Sequence, residues 1–195
     1  SENNLFVGYF EGGIDVYTDN NVFVKHIDSK NSNLPSDRVN SIMAISENKI
    51  LVGFVLSYDI GILDWRTNRY ESVIANLTEI KSDFYSNENF TNSFSKLNDS
   101  TILFIRNAFI YRGTFSKNKT KIEQIDSIPN AVTTYIFSDK QNKLWVGSYN
   151  AAYLKKSEKW YKLDLPVDLN VKCIAQHPNS DIWICGDKGL FVLDN

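Results

Sequence analysis

The 195-residue sequence predicts an all-β fold, a β-propeller of about five four-stranded blade units. Three observations predict it. Five apolar segments of one shape recur along the chain: LFVG at 5–8, ILVG at 50–53, LFIR at 103–106, LWVG at 144–147 and IWIC at 182–185. Their starts lie 45, 53, 41 and 38 residues apart, the spacing of an architecture that repeats one small antiparallel sheet. Stretches rich in Val, Ile, Tyr, Phe and Trp alternate with clusters of turn residues at 46–49, 138–142 and 177–181, which are of hairpin length. No stretch of about 11 residues or more sustains a helical period, and segment 75–88 is the one candidate for a short helix. A sandwich also has short strands and frequent turns, but nothing in it requires one anchor to recur at one period.

Each unit can be read in order. The first offers strands at 5–8, 13–17 and 22–25; the second at 39–45, 50–53, 61–65 and 70–73. The third has a weak first strand, then 103–106, 108–111 and 122–125. The fourth runs 132–137, 144–147, 152–155 and 160–163, and the fifth 171–175, 182–185 and 189–193. Units of 3, 4, 4, 4 and 3 strands make eighteen, the first lacking its inner strand and the last its outer one. This pattern predicts one propeller segment over 1–195, an incomplete arc of a larger ring that is prone to self-association; a closed five-bladed ring is the alternative. The glycine that closes three of the anchors suits close backbone approach. Arg106 breaks that rule, and the long connection 74–89 precedes it, so the third unit is the most divergent.

Composition narrows the functional classes. Lys+Arg 21 against Asp+Glu 23 leaves a net charge of -2, which argues against a general electrostatic grip on nucleic acid. No apolar run approaches the roughly 18 residues that span a bilayer, so no membrane contact is expected of this segment. The start SENNLFVGYF lacks the basic and apolar regions of a signal peptide, which leaves a cytosolic protein or a leader outside the segment. The two histidines, His26 and His177, form no Ser/His/Asp spacing, and no Gly-rich phosphate loop is present. Cys173 and Cys185 fall on neighbouring strands of one predicted hairpin, where they can face each other; free thiols are expected, because directly paired antiparallel positions rarely suit disulfide geometry. Without a second suitably spaced pair they do not make a zinc site. No catalytic residue, metal or cofactor is expected.

The repeat has a recognisable form. Asn33-Leu-Pro-Ser-Asp-Arg-Val-Asn-Ser-Ile42, then ILVG at 50–53, then Gly61-Ile-Leu-Asp64 resembles the two-component regulator propeller repeat. So do Ile128-Pro-Asn-Ala-Val132 with Leu144-Trp-Val-Gly-Ser148, and Ile182-Trp-Ile-Cys-Gly-Asp-Lys-Gly-Leu190. The resemblance covers four units well and the third weakly. It implies a sensor region of the kind found in the hybrid two-component histidine kinases of Bacteroidetes. There the propeller faces the periplasm, takes mostly glycan fragments, and signals to a kinase in the same parent chain. The partners so implied are an oligosaccharide, the remaining blades and kinase, and a second copy in a homodimer.

In propellers the loops between second and third strands share one face with the blade-to-blade connections. Mapped onto this chain, that face offers Tyr9, Phe10, Tyr58 and Tyr149 as flat surfaces for a sugar ring. Arg38, Asp59, Arg106, Asn150 and Asp187 are its candidate polar anchors. Trp145 and Trp183, inside anchor strands, read as packing residues, and Asp64 as a turn acceptor. The leading expectation is a non-enzymatic ligand-sensing segment. A propeller enzyme acting on polysaccharide and a protein-docking propeller remain open.

Overall fold

The computed structural model describes residues 4–55, 59–73, 91–106, 108–115 and 120–194; Tyr58 and the candidate helix 75–88 lie outside them. Every regular element among the described residues is a β-strand, and none is a helix that could cross a membrane. The eighteen strands form five antiparallel sheets in which each strand pairs with its sequence neighbour, with 3, 4, 4, 4 and 3 strands in chain order. This is the all-β propeller class expected from the repeat, strand count included. The chain divides into two compact units, Ser1–Thr91 and Asn92–Asn195.

The first unit holds two sheets. One comprises β1 (Leu5–Gly8), β2 (Ile14–Tyr17) and β3 (Phe23–Ile27); the other β4 (Val39–Ala44), β5 (Lys49–Phe54), β6 (Ile60–Asp64) and β7 (Arg69–Ser72). Alternation along each strand sends every second side chain to the same face. Ile14, Val16 and Ile27 from the first sheet thereby meet Val39, Ile50, Val52, Phe54 and Leu63 from the second in one core, with Phe6 packed edge-on to Trp65 at 5.9 Å between ring centroids. The connection between sheets is fastened by Asn33, whose amide donates to Tyr70 O at 2.8 Å and accepts from Tyr70 N at 2.6 Å. A side chain here does for edge strand β7 what a further strand would do.

The second unit holds three sheets: β8 (Thr91–Asn98), β9 (Thr101–Arg106), β10 (Phe109–Phe115) and β11 (Thr120–Ser127); β12 (Thr133–Ser138), β13 (Leu144–Ser148), β14 (Ala152–Lys156) and β15 (Lys159–Lys162); β16 (Val171–Gln176), β17 (Ile182–Gly186) and β18 (Gly189–Leu193). The central sheet has a core on each face, and the switch falls between adjacent residues of β13. Val146 packs with Leu103, Ile105, Ile110 and Ile136 on one side. Trp145 packs with Val171, Ile174, Ile182 and Ile184 on the other. The two tryptophans at the same repeat position differ: Trp145 is 6% exposed and donates its indole N–H to Asp139, whereas Trp183 is 37% exposed and lies flat on His177.

The repetition extends to fine detail. A bulge interrupts the inner-strand pairing at Val39/Ser41, Thr133/Tyr135 and Val171/Cys173, one residue beyond the start of each inner strand. Tight turns place Asn21, Asn68, Asn130 and Asn142 at φ values of 58° to 61°, a left-handed conformation that asparagine tolerates better than most residues. Asp64 Oδ1 accepts from the backbone of Arg66 and Thr67, the turn role read from its position.

The anchor glycine has its reason in close approach. A Cβ at Gly147 would stand 2.4 Å from Val171 Cγ1 of the next sheet, and one at Gly8 would stand 2.7 Å from Val39 Cγ1. Gly147→Ala is therefore expected to destabilise the protein by about 1–3 kcal/mol, and most of that loss should disappear in a Val171→Ala background. Urea midpoints of the two single variants and the double variant measure this; strictly additive losses would mean that the clash is not the cause.

Candidate functional site

The loops predicted to share a face do so within each unit, because main-chain bonds tie them together. In the first unit the β1–β2 loop closes on itself through Tyr9 N to Gly13 O at 2.9 Å. It is then sewn to the β3–β4 connection by Val39 N to Tyr9 O at 2.9 Å and Gly13 N to Asp37 O at 2.8 Å. Val55, just past β5, donates to Arg38 O at 2.9 Å. Tyr9, Phe10, Glu11 and Arg38 therefore occupy one stretch of rim. Phe10 is 61% exposed, and the Arg38 guanidinium meets Glu11 Oε1 at 2.8 Å. Both members of that pair are solvated, so it contributes about 0–1 kcal/mol to stability and displays charge rather than stapling the loops.

Beneath Tyr9 lies a polar network that the sequence reading did not assemble. Tyr9 and Tyr17 both donate their hydroxyls to Asp15 Oδ2, at 2.8 and 3.2 Å, and His26 Nδ1 donates to Asp15 Oδ1 at 2.7 Å. Asp28 stands 3.7 Å from the other ring nitrogen of His26. Burial on its own would raise the Asp15 carboxyl, but the hydrogen bonds from His26, Tyr9 and Tyr17 outweigh it and hold the group below its ordinary range. The Tyr9 phenol is pushed up to about 12, chiefly by its hydrogen bond to Asp15 and then by desolvation. A carboxylate that accepts three side-chain hydrogen bonds fixes the donors it binds. The arrangement therefore orients the Tyr9 ring at the rim. The signal for it was the hairpin register, which sets Asp15 opposite His26 and puts Tyr17 on the same face.

The remaining candidates are placed less uniformly. Asp59 directly precedes β6 and accepts from Ser72 Oγ at 2.5 Å; burial, with Asp59 beside it, raises the Tyr70 phenol. In the second unit Tyr149 is 49% exposed, and with Asn150 it tips a tight turn closed by Ser148 N to Ala151 O at 2.8 Å. Tyr149 N also reaches Val132 O at 3.2 Å, which joins that turn to the connection before β12. Asp187 accepts from Asn170 N at 3.0 Å and returns its own N–H to Asn170 O at 3.3 Å, so its carboxylate shapes the loop junction. Arg106 closes β9 opposite Phe109, and at 2% exposure it is buried rather than presented to solvent. Among the described residues, no group of three or more His, Cys, Asp or Glu is placed to hold a metal ion.

Residues 127–150 match the family described as "Two component regulator propeller". The fold is shared with the extracellular domain of a protein described as a hybrid two-component system of B. thetaiotaomicron (TM-score 0.76, 18% identity, 97% of this chain and 25% of that one). A second such domain from the same organism gives a TM-score of 0.71 at 18% identity, over 96% of this chain and 26% of the other. Virginiamycin B lyase from Staphylococcus aureus shares it as well, with a TM-score of 0.68 and 13% identity over 100% of this chain and 67% of the lyase. The chain thus spans about a quarter of the length of these two extracellular domains. Comparison with curated proteins finds no significant sequence match. The stretch 127–150 is a two-component regulator propeller repeat, as the motif at Ile128–Val132 and Leu144–Ser148 implied.

The Asp15 network makes a pH-dependent prediction. A carboxyl held below its unfolded value contributes stability that is fully present above that unfolded value and is lost as pH falls through the folded one. Asp15→Asn is expected to cost about 1–3 kcal/mol at neutral pH and to flatten the acid limb of the stability curve, read by urea melts at a series of pH values from neutral downward. An unchanged acid limb would show that Asp15 is not held by these partners. In the same variant the Tyr9 phenol should titrate below the value of about 12 that it has in the wild type.

Proposed function

We propose that this chain is a ligand-sensing propeller segment of a two-component signalling sensor, that it faces the periplasm, and that it passes its signal to a histidine kinase outside this chain. The signalling part of this reading is supported by the two-component regulator propeller repeat at 127–150 and by the fold shared with extracellular sensor domains. The ligand is proposed to be a glycan. The observation that carries this is the rim of the first unit, where Tyr9, oriented from below by Asp15, and the exposed ring of Phe10 stand beside the Arg38–Glu11 pair. Flat apolar faces take the C–H face of a sugar ring, and a displayed guanidinium and carboxylate take its hydroxyls. In the second unit Tyr149 and Asn150 set an exposed ring beside a side-chain amide.

Titration calorimetry of the protein against oligosaccharides of glucan, xylan, mannan and glycosaminoglycan type tests the reading. Binding of one class is expected, weakened about tenfold or more by Phe10→Ala or Tyr9→Ala and unchanged by Tyr161→Ala, an exposed ring within strand β15 rather than in a loop. Absence of binding across the panel would overturn the glycan reading. Release of new reducing or unsaturated ends from any of these polysaccharides would replace it with an enzymatic one.

A further inference from the structure

The two cysteines of the chain lie on the last sheet, outside the rim described above, and they are direct Cα partners in the β16–β17 ladder. Directly opposed residues of an antiparallel pair have Cα atoms about 4.5–5.5 Å apart, inside the window of about 4.4–6.8 Å that a disulfide spans. Opposed residues also point to one face, so the two sulfurs are neighbours, and both are half-buried free thiols. The pair directly follows the Val171/Cys173 bulge. At the same register position the other two bulged sheets carry Ser41 opposite Gly53 and Tyr135 opposite Gly147. Only the last of these three sheets places two groups there that can join covalently.

We infer that Cys173 and Cys185 form a site of reversible oxidation, which closes a cross-strand disulfide by exchange with a disulfide oxidant. One protein thiolate attacks a sulfur of oxidised glutathione, forming a mixed disulfide and expelling one glutathione thiolate. The second protein thiolate then attacks the protein sulfur of that mixed disulfide. The Cys173–Cys185 bond forms and the second glutathione leaves; the two protein protons end on the two reduced glutathione molecules. Burial, set against a hydrogen bond from Tyr135, raises the Cys173 thiol, which lowers its thiolate fraction and slows its own attack. A bond forced across directly paired strands is strained, and strained disulfides are the readily reduced ones. The site is therefore one that opens and closes rather than a permanent staple. Tyr135 lies on the inner strand of the neighbouring sheet, so the state of the pair reaches the seam between the two sheets through its contact with Cys173.

The intact chain, equilibrated with oxidised and reduced glutathione and then trapped with iodoacetamide, tests this by intact mass. Because the sequence has only these two cysteines, every thiol readout reports on them. The expected product is a monomer that has lost two hydrogens and both alkylation sites, restored by excess reduced glutathione. Cys173→Ser and Cys185→Ser should each accumulate a single glutathione adduct instead. Two stable glutathione adducts on the native chain, disulfide-linked dimers, or thiols that react only in urea would each overturn the inference. The outcome is independent of glycan binding, so failure here and failure of the proposed function are read separately.

Discussion

A sheet of three or four short strands has two faces and too little thickness to bury either by itself, so each face must find another sheet. The other features of these units follow from that requirement. Residues such as Trp145 and Val146 are neighbours in sequence and belong to different cores, one on each side of the same strand. Sheets that press this closely leave no room for a side chain at the end of the anchor strand, which is why Gly147 sits against Val171 and Gly8 against Val39. Polar fastenings follow the same seams. Asn33 completes the edge of β7, and Lys155 reaches across to Asp126 at 2.7 Å while Trp160 donates to the same carboxylate.

Most of the fold was legible because its determinants are local and repeated. The anchors, the turn clusters and the 3-4-4-4-3 strand count required only the recognition of one pattern several times; outside the third unit the strand limits differ from expectation by a residue or two, whereas there β10 runs four residues beyond the expected end at 111. The rim was legible in part. Loop membership follows from strand order, so Tyr9, Phe10, Arg38, Tyr149 and Asn150 fall where the topology puts them. Arg106 did not, because a residue that ends an anchor looks like a loop residue in sequence, while the sheet buries it at 2% exposure. The Asp15 network was missed for a different reason. Its members are ordinary strand residues taken one at a time, and they become a cluster only when the register of the β2–β3 hairpin is worked out.

The rim and the cysteine pair show how a repeat varies the side chains it displays without altering its frame. At the rim, substitutions in loops of fixed geometry decide what is displayed, and a carboxylate one layer below holds the displayed ring in place. Across the three sheets with an inner-strand bulge, one register position holds Ser41 and Gly53, Tyr135 and Gly147, or Cys173 and Cys185, with the same bulge beside it each time. The frame supplies position, and the residues placed there supply the chemistry.

The left-handed turns bear on how such a chain can diverge. Among the described residues, four of the six non-glycine positions with positive φ are asparagines, in a sequence with 22 of them. Corners of this kind need a backbone conformation rather than a particular side-chain contact, and asparagine, glycine or aspartate can each serve. Faces need only apolar residues at alternate positions. Very few sites are left that admit one residue type alone, so substitutions can accumulate almost everywhere while the architecture stays put. A fold shared at a TM-score of 0.76 with 18% identity is consistent with determinants this permissive.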